Sequence, residues 1–306
     1  MALQRQSSEP AESGHGAQAA AARPRISVVT PSYNQAPFLK AALRSVLDQN
    51  YPNLEYIVMD GGSTDGSVEI IRKHADRLSF WASEPDAGQY DAINKGFARA
   101  TGEIMAWINS DDMYFPWAFS VVGEIFAARP EIHWLTSSAL VRWDEEGRAI
   151  ACARGEGYSR DAFFLGRNLA APGFATRFVM QEATFWRRSL WEAAGARLDT
   201  SFSLAADFDL WARFWRHAPL YCTSALLAGF RQHRGQKTAV ARERYDEEAL
   251  GILKRHGGRI PGKPAIALRR WLRSLPGAGR LLGWLGQWVE FDRETGQWTA
   301  KTVRFL

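Results

Sequence analysis

The chain has 306 residues, 46% of them apolar and 12% aromatic, enough to bury one sizeable core or two modest ones. Its net charge of +5 is unevenly spread: residues 249–289 hold eight Lys/Arg and no acid, so everything else is net −3. That basic cluster carries no nucleic-acid-reading motif, no run of about 18 apolar residues predicts a transmembrane helix, and two distant cysteines, Cys152 and Cys222, exclude a disulfide framework and fit a reducing cytoplasm.

Residues 1–24 are small, polar and unpatterned, and read as a disordered leader. Arg25–Thr30 (RISVVT) is a β-branched run ending at Pro31, a buried strand by its pattern. From Pro37 to Gln49 the apolar positions 38, 39, 42, 43, 46 and 47 follow a helical period. Leu54–Met59 predicts a second strand, closed by DGGSTDG at 60–66, and Ser67–Ala75 a helix with Asp65 at its start as N-cap. A third strand at 78–83, a helix over 88–99, a fourth strand at 103–108 and a helix over 116–128 complete an alternation. Such alternation predicts right-handed βαβ units and a parallel sheet covered on both faces. Beyond it lie candidate strands near 132–142, 178–187 and 219–230 and a helix over roughly 207–217, with no internal repeat.

In open α/β sheets ligands sit outside the carboxyl ends of the strands. Three polar stretches fall there: PSYN (31–34), DGGSTDG (60–66) and NSDDM (109–113). Each is singly explicable as a turn; together they define one side of a site. Asp111 and Asp112 repel one another unless a cation or a run of donors faces them. Mg²⁺ or Mn²⁺ suits such a pair, taking few protein ligands and filling its remaining positions from substrate phosphates. DGGSTDG lacks the GK[ST] ending of a P-loop and the GxGxxG spacing of dinucleotide binders, which removes the main support for kinase, ATPase and nicotinamide-dehydrogenase readings. No HExxH or GxSxG motif is present, so metalloprotease and serine-hydrolase readings lack footing.

The stretch "ISVVTPSYNQAPFLKAALRSVLDQNYPNLEYIVMDGGSTDGS", followed by "DAGQYDAINKGFARATGEIMAWINSDD", resembles the nucleotide-sugar-binding half of a family 2 glycosyltransferase with the GT-A fold. "QEATFWRRSLWEAAGARLDTSFSLAADFDLWARF" and "FRQHRGQKT" are similar to its acceptor-side half. The resemblance implies an α/β fold: a GT-A-type, mostly parallel central sheet flanked by helices. Residues 25–240 would form the glycosyltransferase domain, with 25–115 as the nucleotide-sugar half and 116–240 as the acceptor-side half. Residues 241–306 would be a basic, amphipathic, helical C-terminal extension.

Residue by residue, the resemblance puts Pro31, Tyr33 and Asn34 around the nucleotide base, Asp60 on the base imide, and Ser63 and Asp65 in shaping that loop. It sets Tyr90, Asp91, Asn94, Lys95 and Gly96 under the ribose and diphosphate. Asp111 and Asp112 match the DxD region, one carboxylate meeting the metal (Mn²⁺ or Mg²⁺) and another the ribose or donor sugar. Asn109 stands where the family often has an acid, which leaves the main ligand open; Asp112 is preferred. The resemblance also implies His233 as a late metal or diphosphate ligand, the alternative being a surface residue beside Arg231 and Arg234. Asp207 matches the catalytic base, although Ala206 replaces a frequent Glu before it; Asp209 is the rival, and an N-cap role for Asp207 is compatible with either. Gln181 and Glu182 are expected at the acceptor cleft, with structural roles nearly as plausible, and Trp186, Trp191, Trp211 and Trp215 as a sugar platform or as core.

The implied reaction is inverting transfer from a nucleoside-diphosphate sugar, a UDP-sugar first, to a hydroxyl of a glycan or lipid-linked acceptor in polysaccharide, lipopolysaccharide or other glycan biosynthesis. In IALRRWLRSL (266–275) Leu268, Trp271, Leu272 and Leu275 face away from Arg269, Arg270 and Arg273, and LLGWLGQWV follows. Basic amphipathic helices with Trp lie in membrane interfaces, so 264–290 is a candidate peripheral contact at the inner face of the cytoplasmic membrane. Competing readings are a sugar nucleotidyltransferase, which should carry a basic, Gly-rich phosphate loop where PSYNQAPF stands, and a non-catalytic nucleotide-sugar-binding scaffold. The oligomeric state is not legible in the sequence.

Overall fold

A computed structural model describes residues 23–169, 178–236, 241–274 and 283–305. Nearly all of the expected leader lies outside the described residues. The first strand, β1 (Ile26–Ser32), is buried along its whole length, as a parallel strand covered on both faces must be. It runs past Pro31 because its neighbour leaves the ladder at Trp107, opposite Val29, so no N–H is owed there. After α1 (Ala36–Leu47), β2 (Leu54–Asp60), α2 (Ser67–Arg72), β3 (Phe80–Ser83) and α3 (Gln89–Arg99), the chain returns as β4 (Ile104–Trp107) on the far side of β1. β1 pairs in parallel with both β2 and β4, and β2 with β3, so the strand order reverses between β1 and β4. PSYN and NSDDM leave the carboxyl ends of those two strands, at the switch point where α/β sheets bind ligands.

The later chain adds β5 (Met113–Tyr114), α4 (Ala118–Ala128), β6 (Trp134–Ser137), β7 (Ala139–Trp143), β8 (Ala149–Arg154) and α5 (Arg160–Phe164). There follow β9 (Thr184–Arg187), α6 (Arg188–Ala193), α7 (Ala206–Phe214), β10 (Tyr221–Thr223) and β11 (Ala228–Arg231). β9 enters the sheet antiparallel between β4 and β6, and β5, β11, β7 and β8 make a second, smaller sheet. Within it, β11 carries the segment after Phe230 back to β5 and so to the end of β4.

The C-terminal region corrects one expectation. It begins with α8 (Arg242–Arg255) and α9 (Lys263–Ser274), as a helical extension should, but β12 (Trp284–Asp292) and β13 (Gln297–Phe305) follow as a hairpin. β12 pairs in parallel with β10, which makes the hairpin one end of the nine-stranded sheet, in the order β13-β12-β10-β6-β9-β4-β1-β2-β3. The run GWLGQWV alternates: Trp284, Gly286 and Trp288 point inward while Leu285 is exposed. A short apolar run does not separate strand from helix by itself. Gly286 is required by close approach, since a Cβ there would lie 2.6 Å from the Tyr158 carbonyl oxygen.

Two apolar layers cover the sheet. One joins α1 and α4 to Val28, Tyr56, Ile104 and Phe185; the other packs α3, α7 and α8 over Val29, Trp107, Trp134 and Trp186. Trp186, Trp191, Trp211 and Trp215 all belong to the second layer, with the Trp211 ring stacked 6.0 Å from that of Trp107. They are core, not a sugar platform, as helical spacing of aromatics usually means.

Candidate active site

The first two loops are stitched together by their own polar groups. Asp60 accepts from the backbone N–H groups of Gly62 (3.1 Å) and Ser63 (2.9 Å) and from the hydroxyls of Ser83 (2.7 Å) and Ser63 (2.6 Å). Its carboxylate is therefore largely spent on folding DGGSTDG. Asn34, at a positive φ of 51°, accepts from Thr64 N–H at 2.9 Å and donates its own N–H to the Ser63 hydroxyl at 2.8 Å. Asp65 is not the α2 N-cap residue, which is Gly66; it bridges two helices, taking the N–H of Ala36 at the start of α1 and the N–H and hydroxyl of Ser67 at the start of α2. Burial works against its charge, yet those bonds hold Asp65 below its ordinary value. Pro31 is buried in β1 beneath these loops, and Tyr33 stands 60% exposed at their rim.

In α3 the residues expected beneath a ribose and diphosphate have partners within the chain. Asn94 clamps the backbone of Leu198, giving its amide N–H to the carbonyl (2.9 Å) and accepting the N–H (2.8 Å). Tyr90 is buried, and its hydroxyl accepts the N–H of Ala206, the first residue of α7. Lys95 pairs with Asp91 at 3.2 Å and Glu84 at 3.7 Å at the surface. Gly96 lets α3 lie on β1, since a Cβ would come 2.5 Å from Val29.

The two adjacent carboxylates are sorted by burial, and this corrects the preference for Asp112. Asp112 is 1% exposed; its oxygens accept from the Arg231 N–H (2.8 Å) and from the Asn109 side chain (3.3 Å). Burial, then the charges of Asp111 and Glu182, push its carboxyl well above the ordinary range. Asp111 is the more open of the pair and meets His233 Nε2 at 3.0 Å. The His233 side chain is itself buried, its ring tilted against that of Phe38 at the start of α1 with centroids 4.4 Å apart, rather than lying on the surface.

Arg231 is the residue that sequence patterns did not single out. It ends β11, is 2% exposed, and gives Nε to the Asp111 carbonyl (2.6 Å) and Nη1 to the Glu145 carbonyl (2.8 Å), leaving Nη2 without a partner among the described residues. Its only signal in the sequence is its place in FRQHRGQ beside His233.

Asp207 stands in the first turn of α7, near Glu182, which also feels the charge of Asp111. The Asp207 carboxylate accepts from the residue's own N–H and that of Phe208, and Oδ1 is closed off from water with no partner. Burial, opposed by those two bonds and reinforced by the charge of Glu248, raises Asp207 to about 7. The rival Asp209 lies on another face of the helix, bonded to Arg213 (2.9 Å) and His256 (3.0 Å). Burial opposes its charge, but these partners hold Asp209 below its ordinary value. Gln181 gives its amide N–H to the Trp107 carbonyl at 2.6 Å, and its Oε1 and Glu182 Oε1 are buried without partners. Burial raises Glu182 to about 7, with the charges of Asp111 and Asp207 adding to it.

This architecture is that of GT-A glycosyltransferases. TarS of S. aureus (residues 1–349, in complex with UDP-GlcNAc) superposes with a TM-score of 0.59 at 16% identity, over 81% of this chain and 71% of that one. A mannosyltransferase of Pyrobaculum calidifontis, in complex with GDP-Man and Mn²⁺, matches at 0.55 and 21% identity, over 85% and 72%. An uncharacterized glycosyltransferase of Rickettsia prowazekii is 25% identical over 238 residues, 76% of this chain and 72% of the relative. Residues 27–135 match the family described as Glycosyl transferase family 2. That match covers the first half of the sheet, and with relatives named glycosyltransferases along three quarters of its length the chain is a glycosyltransferase.

Proposed function

We propose that the protein transfers a sugar from a nucleoside-diphosphate sugar to an acceptor hydroxyl with inversion, Asp207 acting as general base. The observation that carries this is the Asp207 carboxyl: Oδ1 unpartnered, close enough to Glu182 to share it with Asp111 as an electrostatic neighbour, and raised to about 7. A base poised near the working pH combines the right protonation state with driving force. In a single displacement the acceptor oxygen attacks the anomeric carbon as its proton passes to Asp207. The bond from that carbon to the diphosphate oxygen breaks with its electrons leaving on the diphosphate. Tyr33 and the stitched loops offer a rim and main-chain donors for the nucleotide; a UDP-sugar is the first donor to test, on the likeness to a fold solved with UDP-GlcNAc.

Asp111 and His233 fit a divalent cation. Their facing atoms, Asp111 Oδ2 and His233 Nε2, are 3.0 Å apart, and together they would hold such an ion through one oxygen and one nitrogen. Among the described residues no third His, Cys, Asp or Glu completes a cage, which suits an ion that takes its other ligands from a diphosphate and water. Bound there, Mn²⁺ or Mg²⁺ would neutralise charge on the leaving diphosphate. Arg231 supplies fixed positive charge beside the same carboxylates.

A thermal-shift panel of UDP, GDP, dTDP and CMP, each with and without Mn²⁺ or Mg²⁺, tests the donor side. One nucleotide should stabilise only with metal, by about 2.7 kcal/mol at a hundredfold excess over its Kd, and Asp111→Ala should abolish the shift. A shift indifferent to both metal and Asp111 would remove the metal assignment. No shift with any nucleotide would favour the scaffold reading.

For the acceptor we propose a glycan or lipid-linked chain made at the inner face of a membrane. Among the described residues no helix is long and apolar enough to cross one. On α9, however, Leu268 and Trp271 are exposed in a stretch rich in Lys and Arg. Sedimentation with anionic liposomes at low salt tests this; protein left in the supernatant would refute it.

A further inference from the structure

The N-terminus of α7 has no side-chain cap of its own, because the N-cap residue is Ala205. The Ala206 N–H lies towards Tyr90, and the N–H groups of Asp207 and Phe208 lie towards the Asp207 carboxylate. The three preceding N–H groups, of Ser203, Leu204 and Ala205, all point at one carboxylate, that of Glu248 on α8, at 2.9–3.1 Å. Arg244, one turn earlier on α8, gives Nη2 to the Ser203 hydroxyl at 2.7 Å and lies 3.5 Å from Glu248. Successive N–H groups converging on an anion fix a backbone more firmly than a single cap.

We propose that Glu248 is a positioning residue for Asp207: reaching in from α8, outside the family-matched stretch, it fixes the backbone of residues 203–205 and so the direction of the base. This rests on the reading of Asp207 as the base. The groups facing Asp207 are Glu248 and Tyr245 from α8, Tyr90 from α3 and Glu182 from the turn before β9. Arg242 and Asp246 flank Tyr245, and Arg244 flanks Glu248. Glu248 is thus a negative neighbour that keeps the base protonated to higher pH, and its amide would release that hold while still accepting N–H bonds.

The experiment combines amide hydrogen exchange with ¹³C-carboxyl titration of aspartate-labelled protein, the Asp207 signal being assigned by its loss in Asp207→Asn. In Glu248→Ala, exchange at 203–205 should quicken at least about tenfold, as local opening becomes easier. In Glu248→Gln, exchange should stay near wild type while the Asp207 midpoint moves to lower pH. Unchanged exchange in Glu248→Ala overturns the proposal, and so does an unmoved or raised midpoint in Glu248→Gln. Should Glu248→Ala not fold, Glu248→Asp, which withdraws the acceptor and keeps the charge, replaces it under the same criterion. An Asp207→Asn protein that still transferred sugar would remove the base reading and leave the exchange result standing. An inactive Asp207→Asn with unchanged exchange would remove Glu248 alone.

Discussion

Asp60, at the end of β2, accepts four hydrogen bonds from its own surroundings, whereas Asp207, at the start of α7, keeps an oxygen with none. The same contrast extends to their neighbours. On the side proposed for the nucleotide, Asn34, Asp60 and Asp65 consume their polar capacity in holding two loops together, and Tyr33 is the exposed side chain. On the other side Gln181, Glu182 and Asp207 each leave a buried oxygen unmatched. Buried polar atoms without partners cost stability. The unmatched oxygens of Gln181, Glu182 and Asp207 are therefore free to accept from a bound hydroxyl, while those of Asp60 are already used.

The largest effect that would break this contrast is on turnover. Asp207→Asn should lower transfer by about 10²–10⁴-fold, the range of a general base, with the nucleotide thermal shift unchanged. Wild-type turnover should rise with pH through about 7 as the carboxyl loses its proton. Rate measured against pH in both proteins decides it.

The neighbouring carboxylate should behave oppositely. Asp209→Ala takes from Arg213 and His256 the carboxylate they share inside the α7–α8 contact and should cost roughly 3 kcal/mol by urea unfolding. Any surviving folded protein should transfer sugar normally.

Next in size is a gain. Because Asp207 is raised from 3.8 to about 7 in the fold, its protonated form favours folding. That contribution is complete below pH 3.8 and is lost as pH rises through about 7. Asp207→Asn should therefore be more stable than wild type at pH 8, on the order of 2 kcal/mol, and the gap should close towards pH 4. A constant gap would mean the carboxyl is not desolvated. Smallest of all, Tyr33→Ala should shift stability by no more than about 0.5 kcal/mol while weakening the nucleotide thermal shift; an unaltered shift would take Tyr33 off the base.

The βαβ half was legible because its strands are buried on both faces and read as unbroken apolar runs closed by Gly, Asp and Asn, signals that are local. Asp207 was legible because it opens a helix within a recognisable motif. The hairpin β12–β13 was not, since two tryptophans and glycines in a short run satisfy both periods until β10 supplies an edge to pair with. Nor were the true duties of Tyr90 and Asn94, whose partners Ala206 and Leu198 lie about a hundred residues away in sequence.

The sequence alone determined the layered sheet, the loops at its switch point and which residue types could do chemistry there, because propensity, periodicity and turn chemistry act over a few residues. Only the tertiary structure decided that Asp111 faces His233 while Asp112 is sealed under Arg231, and that Asp207 is left free while Asp209 is paired. It also brought Glu248, from a helix outside the family-matched stretch, to the backbone just before Asp207. Burial and partnership are properties of surroundings, and those surroundings are assembled from segments far apart along the chain.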